Sequence, residues 1–552
     1  MHPDIIVDLH DTSNLRVTFP YDENLVALIR TVPGREWHKE LKYWTIPSFS
    51  LRNLQSSAAR LGVGVVLRER VRKGLARGQE QRADLLVAKQ RREDTLTLPT
   101  KTAARPYQRA GVRFLMEALK NFRGALLADD MGLGKTLQAL SVVALSPSLR
   151  KILVLCPASV KYVWEDEIEK HYPDLDCVVI EGTAEERKAQ WASPIRIKIA
   201  NYELLLHDPQ VRVKDWDLVI ADECAFIKNY TAKRSKIIKK LRRRYSLGLS
   251  GAPIENRLEE LHSIFDFVMP GLLGPGWLFV AQHCIKNYWG AIVGYRGLDR
   301  VRERIAPHYL RRTKDEVLPE LPAKIQNDVW IEMSSEEWRV YEAIREQIKE
   351  MIKENPKLKA ANILTEMLRL KQCTGDAAVL GEDIGGPSSK IEALGEILEA
   401  AEGHKVVAFT QFAQLGGIIS QRFGAPLLWG DLNPKERTRL ISKFQTDGEQ
   451  LLVSTEAGAY GITLTAADIV IHVDQPWNPA RLSQREDRLH RLGQKGTVQV
   501  INLLARRTID EYVRAIIHRK RGLTRTIFDE GEEVESQTVT KIDLLALLGE
   551  AR

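Results

Sequence analysis

One stretch decides the fold: Leu126-Leu127-Ala128-Asp129-Asp130-Met131-Gly132-Leu133-Gly134-Lys135-Thr136, which runs into the helical pattern of residues 137–143. A strand followed by Gly-x-Gly-Lys-Thr at a helix start is typical of a phosphate-binding loop, because glycines let backbone N–H groups approach phosphates. Lys135 would reach the β- and γ-phosphates, and the Thr136 hydroxyl would ligate Mg²⁺. The usual first glycine is replaced by Asp129, so an ordinary glycine-rich turn is the alternative interpretation.

A pair of carboxylates downstream complements this loop. The apolar strand pattern of residues 218–221 ends in Asp222-Glu223. Asp222 can hold Mg²⁺, and Glu223 can orient and deprotonate an attacking water. Adjacent acids after a strand are otherwise ordinary surface residues. Together with the loop, they predict a site for ATP hydrolysis in which Lys135, Asp222 and Glu223 are catalytic and Thr136 and Asp222 hold Mg²⁺.

Short apolar runs alternate with helical patterns in two parts of the chain. Such continuous apolar strands predict parallel sheets that are buried on both faces. The first series is 124–128, 152–156, 195–200, 218–221 and 246–249, and the second is 406–409, 427–429, 451–454, 469–473 and 498–503. The predicted architecture is therefore α/β, with two parallel-sheet lobes joined by a helical region.

The composition is that of a globular protein. The chain has 552 residues, 28% of them charged, and 81 Lys+Arg against 73 Asp+Glu give a net charge of +8. No apolar run approaches the roughly 18 residues of a membrane span, and the first residues do not resemble a signal peptide. We therefore expect a cytoplasmic protein without a membrane partner, associated with the nucleoid if bacterial or phage and nuclear if eukaryotic. The five cysteines lack disulfide or zinc-ligand spacing.

Changes in sequence pattern divide the chain into six segments. The predicted segments are a small α+β unit at 1–67, a basic helical linker at 68–100, lobe one at 101–268, a helical insertion and interlobe linker at 269–390, lobe two at 391–505, and a C-terminal brace and tail at 506–552. The linker is interpreted as a solvated helix, with direct DNA contact as the alternative.

Further motifs flank the phosphate loop and the carboxylate pair in a fixed order. They are Pro106-Tyr107-Gln108, Cys156-Pro157-Ala158-Ser159 with Trp164, Asn201-Tyr202-Glu203, Ser250-Gly251-Ala252-Pro253 with Asn256, Leu310–Lys314, Phe409–Phe412, Ser454–Gly458 through Gly461-Ile462, and Gln484–Gln494. In this order they resemble a superfamily 2 helicase, and within that superfamily the Swi/Snf-type double-stranded DNA translocases. In the numbering of that family, Asp129–Thr136 resembles motif I, Phe409–Phe412 motif IV, Ser454–Gly458 through Gly461-Ile462 motif V, and Gln484–Gln494 motif VI. The resemblance covers residues 100–525 and implies that both lobes are RecA-like.

The resemblance also implies roles for individual residues. ATP would be bound by motif I, by the adenine-reading Gln108 and by motif V: Gln108, Asp129, Met131, Gly132, Leu133, Gly134, Lys135, Thr136 and Gly461. Arg488 and Arg491 would stabilise the negative charge of phosphoryl transfer from lobe two. DNA would be contacted by Ser159, Asn201, Gln411 and Thr455. The sequence departs from the family pattern at two points. Cys224-Ala225 stands where relatives often have Ala-His, and Ala252 stands where Thr is common. These departures leave open how efficiently ATP hydrolysis is coupled to movement.

Two further regions are candidates for DNA contact. Residues 231–245 carry eight basic side chains, including Lys236, and no acid, so they form either part of a DNA track or a solvated helix face. At the amino terminus, three patterns are similar to the HARP domain of annealing helicases: Val17-x-Phe19-x-Tyr21-Asp22, Ile29–Trp37 and Lys42-x-Trp44-x-Ile46-Pro47. Arg35, Trp37 and Lys42 would then engage branched DNA. Alternatively, the tryptophans fill a small core.

The leading hypothesis is a DNA-dependent ATPase that translocates on duplex DNA and remodels forks. It would use ATP and Mg²⁺, bind double-stranded and forked DNA, act as a monomer, and meet replication, repair or transcription proteins. One alternative is a motor that displaces bound protein or recycles stalled RNA polymerase. A second alternative is an ATP-gated DNA-binding scaffold with little turnover.

Overall fold

The computed structural model describes residues 4–11, 14–254, 257–288, 290, 292–355, 360–446, 448–455 and 462–528. The amino-terminal unit is a small α+β layer, as the sequence predicts. Its strands are β1 (Ile5–Leu9), β2 (Asn14–Thr18), β3 (Glu36–His38), β4 (Tyr43–Pro47) and β5 (Val65–Leu67), in the sheet order β3-β4-β2-β1-β5. Helices Glu23–Thr31 and Leu51–Arg60 contribute Leu25 and Leu54 to the core of this unit.

A long helix, Glu69–Gln90, connects this unit to the rest of the molecule. Val71, near its start, belongs to the core of the amino-terminal unit. Leu85 and Ala88, near its end, belong to a core cluster of lobe one. The predicted helical linker is therefore a helix with both ends packed, and only its middle is solvated.

Lobe one is built on a parallel sheet of seven strands. The strands of this part of the chain are β6 (Gly124–Leu127), β7 (Ile152–Cys156), β8 (Cys177–Val179), β9 (Ile197–Asn201), β10 (Asp215–Asp222), β11 (Arg242–Leu249), β12 (Cys284–Lys286), β13 (Ile292–Tyr295) and β14 (Tyr309–Leu310). The sheet order is β14-β6-β11-β10-β7-β9-β8, while β12 and β13 form a separate antiparallel hairpin. Strands β6 and β7 are buried along their whole length, as expected of a sheet covered on both faces.

Helices cover both faces of this sheet and continue into the segment between the lobes. Those of lobe one are Pro106–Phe122, Lys135–Ala144, Lys161–His171, Ala184–Ala192, Leu204–His207, Lys233–Lys239 and Leu258–Val268. Those of the intervening segment are Gly276–His283, Leu298–Ile305, Lys314–Val317, Ser335–Glu354, Ala360–Gly375 and Ser389–Ala400.

Lobe two repeats the architecture with six parallel strands. They are β15 (Lys324–Ile331), β16 (Val406–Thr410), β17 (Leu427–Leu428), β18 (Leu451–Thr455), β19 (Ile469–His472) and β20 (Val498–Ala505), in the order β15-β20-β19-β16-β18-β17. Its helices are Ala413–Phe423, Pro434–Thr446, Pro479–Glu486 and Ile509–Phe528. The predicted α/β class with two parallel-sheet lobes is confirmed.

The structure differs from the prediction in the segment 269–390. Strand β14 joins the lobe-one sheet beside β6, and β15 pairs with β20 over eight residues at the edge of the lobe-two sheet. Strand β14 has two residues, and β15 is largely exposed, so neither carries the continuous apolar run of a central strand. The predicted tail lies beyond residue 528, outside the described residues. No described helix is long and apolar enough to cross a membrane.

Candidate active site

The phosphate loop lies between β6 and the helix that begins at Lys135. Gly132 and Gly134 have φ of +83° and +73°, a region that favours glycine. A Cβ atom at Gly134 would lie 2.4 Å from the Gln108 amide nitrogen, so a side chain there would displace Gln108. The Lys135 ammonium donates to the carbonyl oxygens of Asp129 (2.8 Å) and Asp130 (3.0 Å). Burial lowers the pKa of Lys135, so anionic phosphates would stabilise its charge.

Gln108 lies directly against this loop. Its helix starts at Pro106, and the Gln108 side chain caps that start by accepting a hydrogen bond from the Arg105 N–H (2.9 Å). The amide nitrogen of Gln108 and the hydroxyl of Tyr107 both donate to the Leu133 carbonyl, each at 3.3 Å. The predicted adenine-reading residue is therefore connected to the phosphate loop through one carbonyl.

Asp129 has a different partner from the one predicted. It forms a fully buried ion pair with Arg312, whose Nε donates to Asp129 Oδ1 at 3.0 Å. The same guanidinium donates to Gln138 Oε1 at 2.9 Å. Because its carboxylate is paired inside the protein, Asp129 positions the loop and leaves nucleotide contact to other residues. Arg312 precedes lobe two, so this ion pair anchors the interlobe connection at the phosphate loop.

The carboxylate pair lies at the carboxyl end of β10, beside the phosphate loop. Asp222 accepts hydrogen bonds from the indole N–H of Trp164 (2.8 Å) and from the Glu223 N–H (2.9 Å). Burial raises the pKa of Asp222, while the Trp164 hydrogen bond and the charge of Lys135 oppose that rise. The Tyr202 hydroxyl donates to the Asp222 carbonyl at 2.7 Å. Trp164 and Tyr202 were noted in motifs, but sequence reasoning did not assign them to this site.

Glu223 is held in an uncommon backbone conformation. Its φ of +50° lies in the left-handed region, which is rare for a non-glycine residue and often marks a functional constraint. Ser250, from the end of the neighbouring strand, donates its hydroxyl to Glu223 Oε1 at 3.1 Å. A Cβ atom at Gly251 would lie 3.6 Å from the Lys135 ammonium. The Ser250-Gly251 motif therefore contacts both the predicted base and the phosphate loop.

The residues of this site fit a magnesium ion bound together with nucleotide phosphates. Mg²⁺ prefers oxygen ligands and is often held by one or two carboxylates plus substrate oxygens. Asp222 supplies such oxygens, and its hydrogen bonds come from two neutral donors, which leaves its charge without a full ion pair. Thr136 lies half-buried in the first turn of the helix that starts at Lys135. An ion held by Asp222 and Thr136 would neutralise phosphate charge.

Lobe two reaches the same site through the segment 484–494. A Cβ atom at Gly132 would lie 3.1 Å from the Cβ of Arg491, so Arg491 lies directly against the phosphate loop. Burial lowers the pKa of Arg491. Arg488 lies in the turn after the helix Pro479–Glu486, half-buried, and its carbonyl accepts a hydrogen bond from the Leu464 N–H (2.9 Å). Of the two predicted arginines, the structure thus brings Arg491 to the phosphate loop, and the role of Arg488 stays a prediction.

Lys314 joins the two lobes across the cleft. Its backbone N–H donates to Asp130 Oδ2 at 3.1 Å, and its ammonium forms an ion pair with Asp487 and donates to the His490 carbonyl. Burial and the nearby charge of Asp487 raise the pKa of Asp130. The cleft beside this contact has a volume of about 860 Å³ and is lined by loop, linker and motif VI residues. The sequence signal for Lys314 was the Leu310–Lys314 motif.

The predicted DNA contacts of lobe one lie at the carboxyl edge of the sheet or on the surface. Ser159 is half-exposed in a short 3₁₀ turn after β7. Asn201 ends β9, and its amide donates to Glu203 at 3.1 Å. Lys236 is exposed, but the basic segment around it is not one helix face. Arg243 lies within β11, where burial lowers its pKa to about 10.

The structure corrects the prediction for Thr455 in lobe two, whereas DNA contact by the half-buried Gln411 stays a prediction. Thr455 is buried, and its hydroxyl donates to the Leu428 carbonyl at 3.4 Å, so it does not face a DNA surface. Gln411 donates both its backbone N–H and its side-chain amide to Asp474, the latter at 2.6 Å. These partners are distant in sequence, which is why the motif alone did not reveal them. Gly461 and Asn256 lie outside the described residues.

Asp474 is the centre of a buried charge network in lobe two. Besides Gln411, it receives the Thr410 hydroxyl and lies 3.9 Å from Arg485. Burial alone would raise the pKa of Asp474, but Arg485 and Lys371 hold it below its usual value. The network connects motif IV to the helix Pro479–Glu486 that precedes Arg488 and Arg491.

In the amino-terminal unit, the two tryptophans form a cross-strand pair. Trp37 on β3 lies opposite Trp44 on β4, with ring centroids 5.0 Å apart. Trp44 packs against the core of the unit, whereas Trp37 is 46% exposed. Arg35 and Lys42 are exposed, and Lys42 has a φ of +53° in the β3–β4 turn. Trp44 therefore fills the core, as the second interpretation expects, while DNA contact by the exposed Trp37 stays a prediction.

Comparison with known proteins identifies the family. A model described as SNF2-related domain matches residues 107–378, and one described as helicase conserved C-terminal domain matches residues 389–493. An uncharacterized ATP-dependent helicase of Mycoplasma genitalium is 35% identical over 76% of this chain and 42% of its own length. Chromodomain-helicase-DNA-binding protein 1-like of Danio rerio is 30% identical over 77% of this chain and 44% of its own length.

Among solved structures, the Sulfolobus solfataricus SWI2/SNF2 ATPase core in complex with dsDNA is 34% identical, over 79% of this chain and 96% of that chain, with a TM-score of 0.41. The chain spans less than half the length of the two curated relatives named above. Both family models fall on the two parallel-sheet lobes, in the order that the motifs predict. The chain belongs to the SNF2-related family, with an SNF2-related domain followed by a helicase conserved C-terminal domain.

Proposed function

We propose that this protein is a DNA-dependent ATPase that translocates on duplex DNA. The observation that carries the proposal is the position of Arg491 from lobe two against Gly132 of the lobe-one phosphate loop. A site completed by both lobes hydrolyses ATP only when they close, so each hydrolysis cycle changes the relative position of the lobes. The names of two relatives, an ATP-dependent helicase and a chromodomain-helicase-DNA-binding protein, support the assignment.

The residues of the cleft have different roles in hydrolysis. Lys135 binds the phosphates, and Glu223 takes a proton from the attacking water while Ser250 holds its carboxylate. Arg488 and Arg491 stabilise the charge that develops on the transferred phosphoryl group. Mg²⁺, held by Asp222 and Thr136, would supply further charge neutralisation. The substitutions Cys224, Ala225 and Ala252 leave each of these side chains in place.

We further propose that the amino-terminal unit directs the motor to branched or forked DNA. Its edge hairpin presents the exposed ring of Trp37 between two exposed cations, Arg35 and Lys42. Aromatic rings can stack on unpaired bases, and cations pair with phosphates, as a junction between single and double strands requires. The likeness of this unit to HARP domains supports the same role.

The motor proposal is tested by steady-state ATPase assays with single-stranded, duplex and forked DNA. We expect duplex and forked DNA to stimulate hydrolysis and single-stranded DNA to stimulate it far less. Lys135→Ala should abolish turnover, and Lys188→Ala, at an exposed lysine of the same lobe, is the matched control. A wild-type chain whose turnover is absent or independent of DNA would contradict the proposal and favour an ATP-gated scaffold.

The fork proposal needs an assay that separates targeting from hydrolysis. The variant Trp37→Ala should reduce fork regression and strand annealing while duplex-stimulated ATPase activity is unchanged. Trp277→Ala, at an exposed tryptophan of the intervening segment, controls for the loss of an exposed ring. Equal annealing by both variants and the wild type would remove the fork role and leave a motor that acts on bound protein as the alternative.

A further inference from the structure

The two halves of the helix Glu69–Gln90 use their basic residues differently. In the second half, Arg82 donates to the Glu303 carbonyl (3.1 Å), and Lys89 donates to the Ala306 carbonyl (3.3 Å). The Lys89 ammonium also lies 3.4 Å from the centre of the Tyr309 ring. Just after the helix, Arg92 pairs with Glu316 at 3.5 Å. The cations of this half therefore bind the segment between the lobes, next to strand β14 of the lobe-one sheet.

The cations of the first half have no such role. Arg70 and Arg77 are exposed, and within the described part of the chain neither side chain forms an ion pair or hydrogen bond. Lys73 pairs at 2.7 Å with Glu69, but both side chains are mostly exposed, so the pair contributes little stability. Because these residues are spaced i, i+3 and i+7, the three positive charges lie on one face of the helix.

The backbone beside these charges is also uncovered. Residues 72–77 are all exposed, and a Cβ atom at Gly74 or Gly78 would have no atom within 4 Å. A glycine in a helix interior costs about 1 kcal/mol relative to alanine, and here the two glycines leave room for close approach. This exposed stretch of the helix lies between the buried residues Val71 and Leu85. At 1.5 Å per residue, these two residues are about 21 Å apart along the helix, which is comparable to the width of a nucleic-acid duplex.

We infer that this face, formed by Arg70, Lys73 and Arg77 and called here the bare helix face, binds the phosphate backbone of duplex DNA. The inference rests on the proposed function, which supplies the duplex, and adds a contact outside the two lobes. Exposed cations on a helix match a polyanion in charge, and phosphate contacts are independent of sequence. The helix is packed at both ends, so the contact would hold the amino-terminal unit and lobe one on the same DNA segment.

The test is the salt dependence of duplex binding by the full-length chain, measured by fluorescence anisotropy. Replacing Arg70, Lys73 and Arg77 by Gln should lower the slope of log affinity against log salt by about 2.7, at about 0.9 per phosphate contact. The control replaces three exposed lysines on other helices, Lys120, Lys188 and Lys435, and should leave the slope unchanged. Arg70→Lys with Arg77→Lys keeps the charge and should keep the wild-type slope.

Equal slopes for the triple variant and the control would overturn the inference. An unchanged duplex slope combined with weaker binding to polyglutamate would also overturn it, by assigning the face to an acidic protein. These outcomes are separate from failure of the proposed function. A chain whose ATPase is not stimulated by duplex DNA contradicts the motor proposal, whatever the slope shows. Equal melting temperatures would establish that the exposed substitutions leave the fold intact.

Discussion

Each lobe places an aspartate at the carboxyl end of a buried parallel strand, but the two aspartates have different surroundings. Asp222, at the end of β10, accepts hydrogen bonds from two neutral donors, and burial raises its pKa. Asp474, just after β19, is surrounded by Arg485, Lys371 and the amide of Gln411, and its pKa is held below its usual value despite burial.

The difference shows how one architecture serves two purposes. A carboxylate with neutral partners gains free energy from an added cation, so Asp222 is suited to a metal and its nucleotide. A carboxylate that is already paired has nothing to gain from a ligand, but removing it leaves buried cations unpaired. We conclude that the strand ends of lobe one are built for binding, and those of lobe two for holding motifs IV and VI in fixed positions.

The largest effect is expected at Glu223. The comparison between the lobes assigns the catalytic carboxylates to lobe one, and Glu223 is the predicted general base. We expect Glu223→Gln to lower kcat by about 10³, because general-base catalysis contributes roughly 10²–10⁴ in rate. ATP binding, followed by equilibrium titration, should be retained because the phosphate loop is untouched. Glu181→Gln, at an exposed acid of the same lobe, is the control. A Glu223→Gln variant with near-normal turnover would place the base elsewhere.

Matched neutral substitutions at the two aspartates test the comparison directly. Asp474→Asn should lower the free energy of unfolding by about 3–5 kcal/mol, because it removes the buried negative charge that faces Arg485 and Lys371. Asp222→Asn should leave that free energy nearly unchanged while abolishing magnesium-dependent turnover. Urea unfolding measures the first effect. If Asp474→Asn does not fold, Thr410→Val, which removes one donor to Asp474, should cost about 1 kcal/mol. Equal losses for the two aspartates would contradict the comparison.

Acid unfolding tests a second buried carboxylate of lobe two, Glu486, whose role we expect to be structural, like that of Asp474. Burial would raise its pKa, but His472 and Lys324 hold it at about 2. Because this value lies below the ordinary 4.5, the stabilisation is complete above pH 4.5 and is lost as the pH falls towards 2, up to about 3 kcal/mol. Glu486→Gln should be less stable than the wild type at neutral pH, and the difference should disappear in acid. A difference that stays constant with pH would exclude this ionisation as its source.

A smaller effect is expected at the contact between the lobes. Lys314→Gln removes the ion pair with Asp487 but leaves every predicted catalytic residue in place. We expect about a tenfold decrease in DNA-stimulated kcat, equivalent to about 1.4 kcal/mol, together with a lower melting temperature, because Asp487 and the His490 carbonyl lose a buried partner. The conservative variant Lys314→Arg should recover part of the activity. An unchanged kcat would limit Lys314 to a structural role.

The parts of the candidate nucleotide site could be recognised in the sequence because they are local. The glycines, Lys135 and the Asp222-Glu223 pair each stand at the junction of a strand and the next element, where the pattern is visible within a few residues. The partners that tune these residues are distant in the chain: Trp164 bonds to Asp222, and Arg312 pairs with Asp129. No local pattern carries such pairings.

Partners that are distant in the chain also explain what the sequence pattern did not reveal in lobe two. Gln411 and Thr455 stand in motifs that resemble DNA contacts, yet their hydrogen bonds go to Asp474 and Leu428. Strand β15 escaped detection because an exposed edge strand lacks the apolar run of a central strand. The predictions for Arg35, Trp37 and Lys42, and for fork DNA, stay predictions.

The ion pair between Asp129 and Arg312 has a mechanical consequence. The chain leaves lobe one beside the phosphate loop, passes through Arg312 and Lys314, and enters lobe two at β15. If the lobes turn relative to each other, as we propose, this connection places the pivot beside the nucleotide site. A small displacement of the loop at such a pivot becomes a larger arc at the far ends of the lobes, in proportion to their length. In the proposed motor, the nucleotide site and the connection between the lobes would therefore form one structural unit, and no separate element would be needed to link hydrolysis to movement.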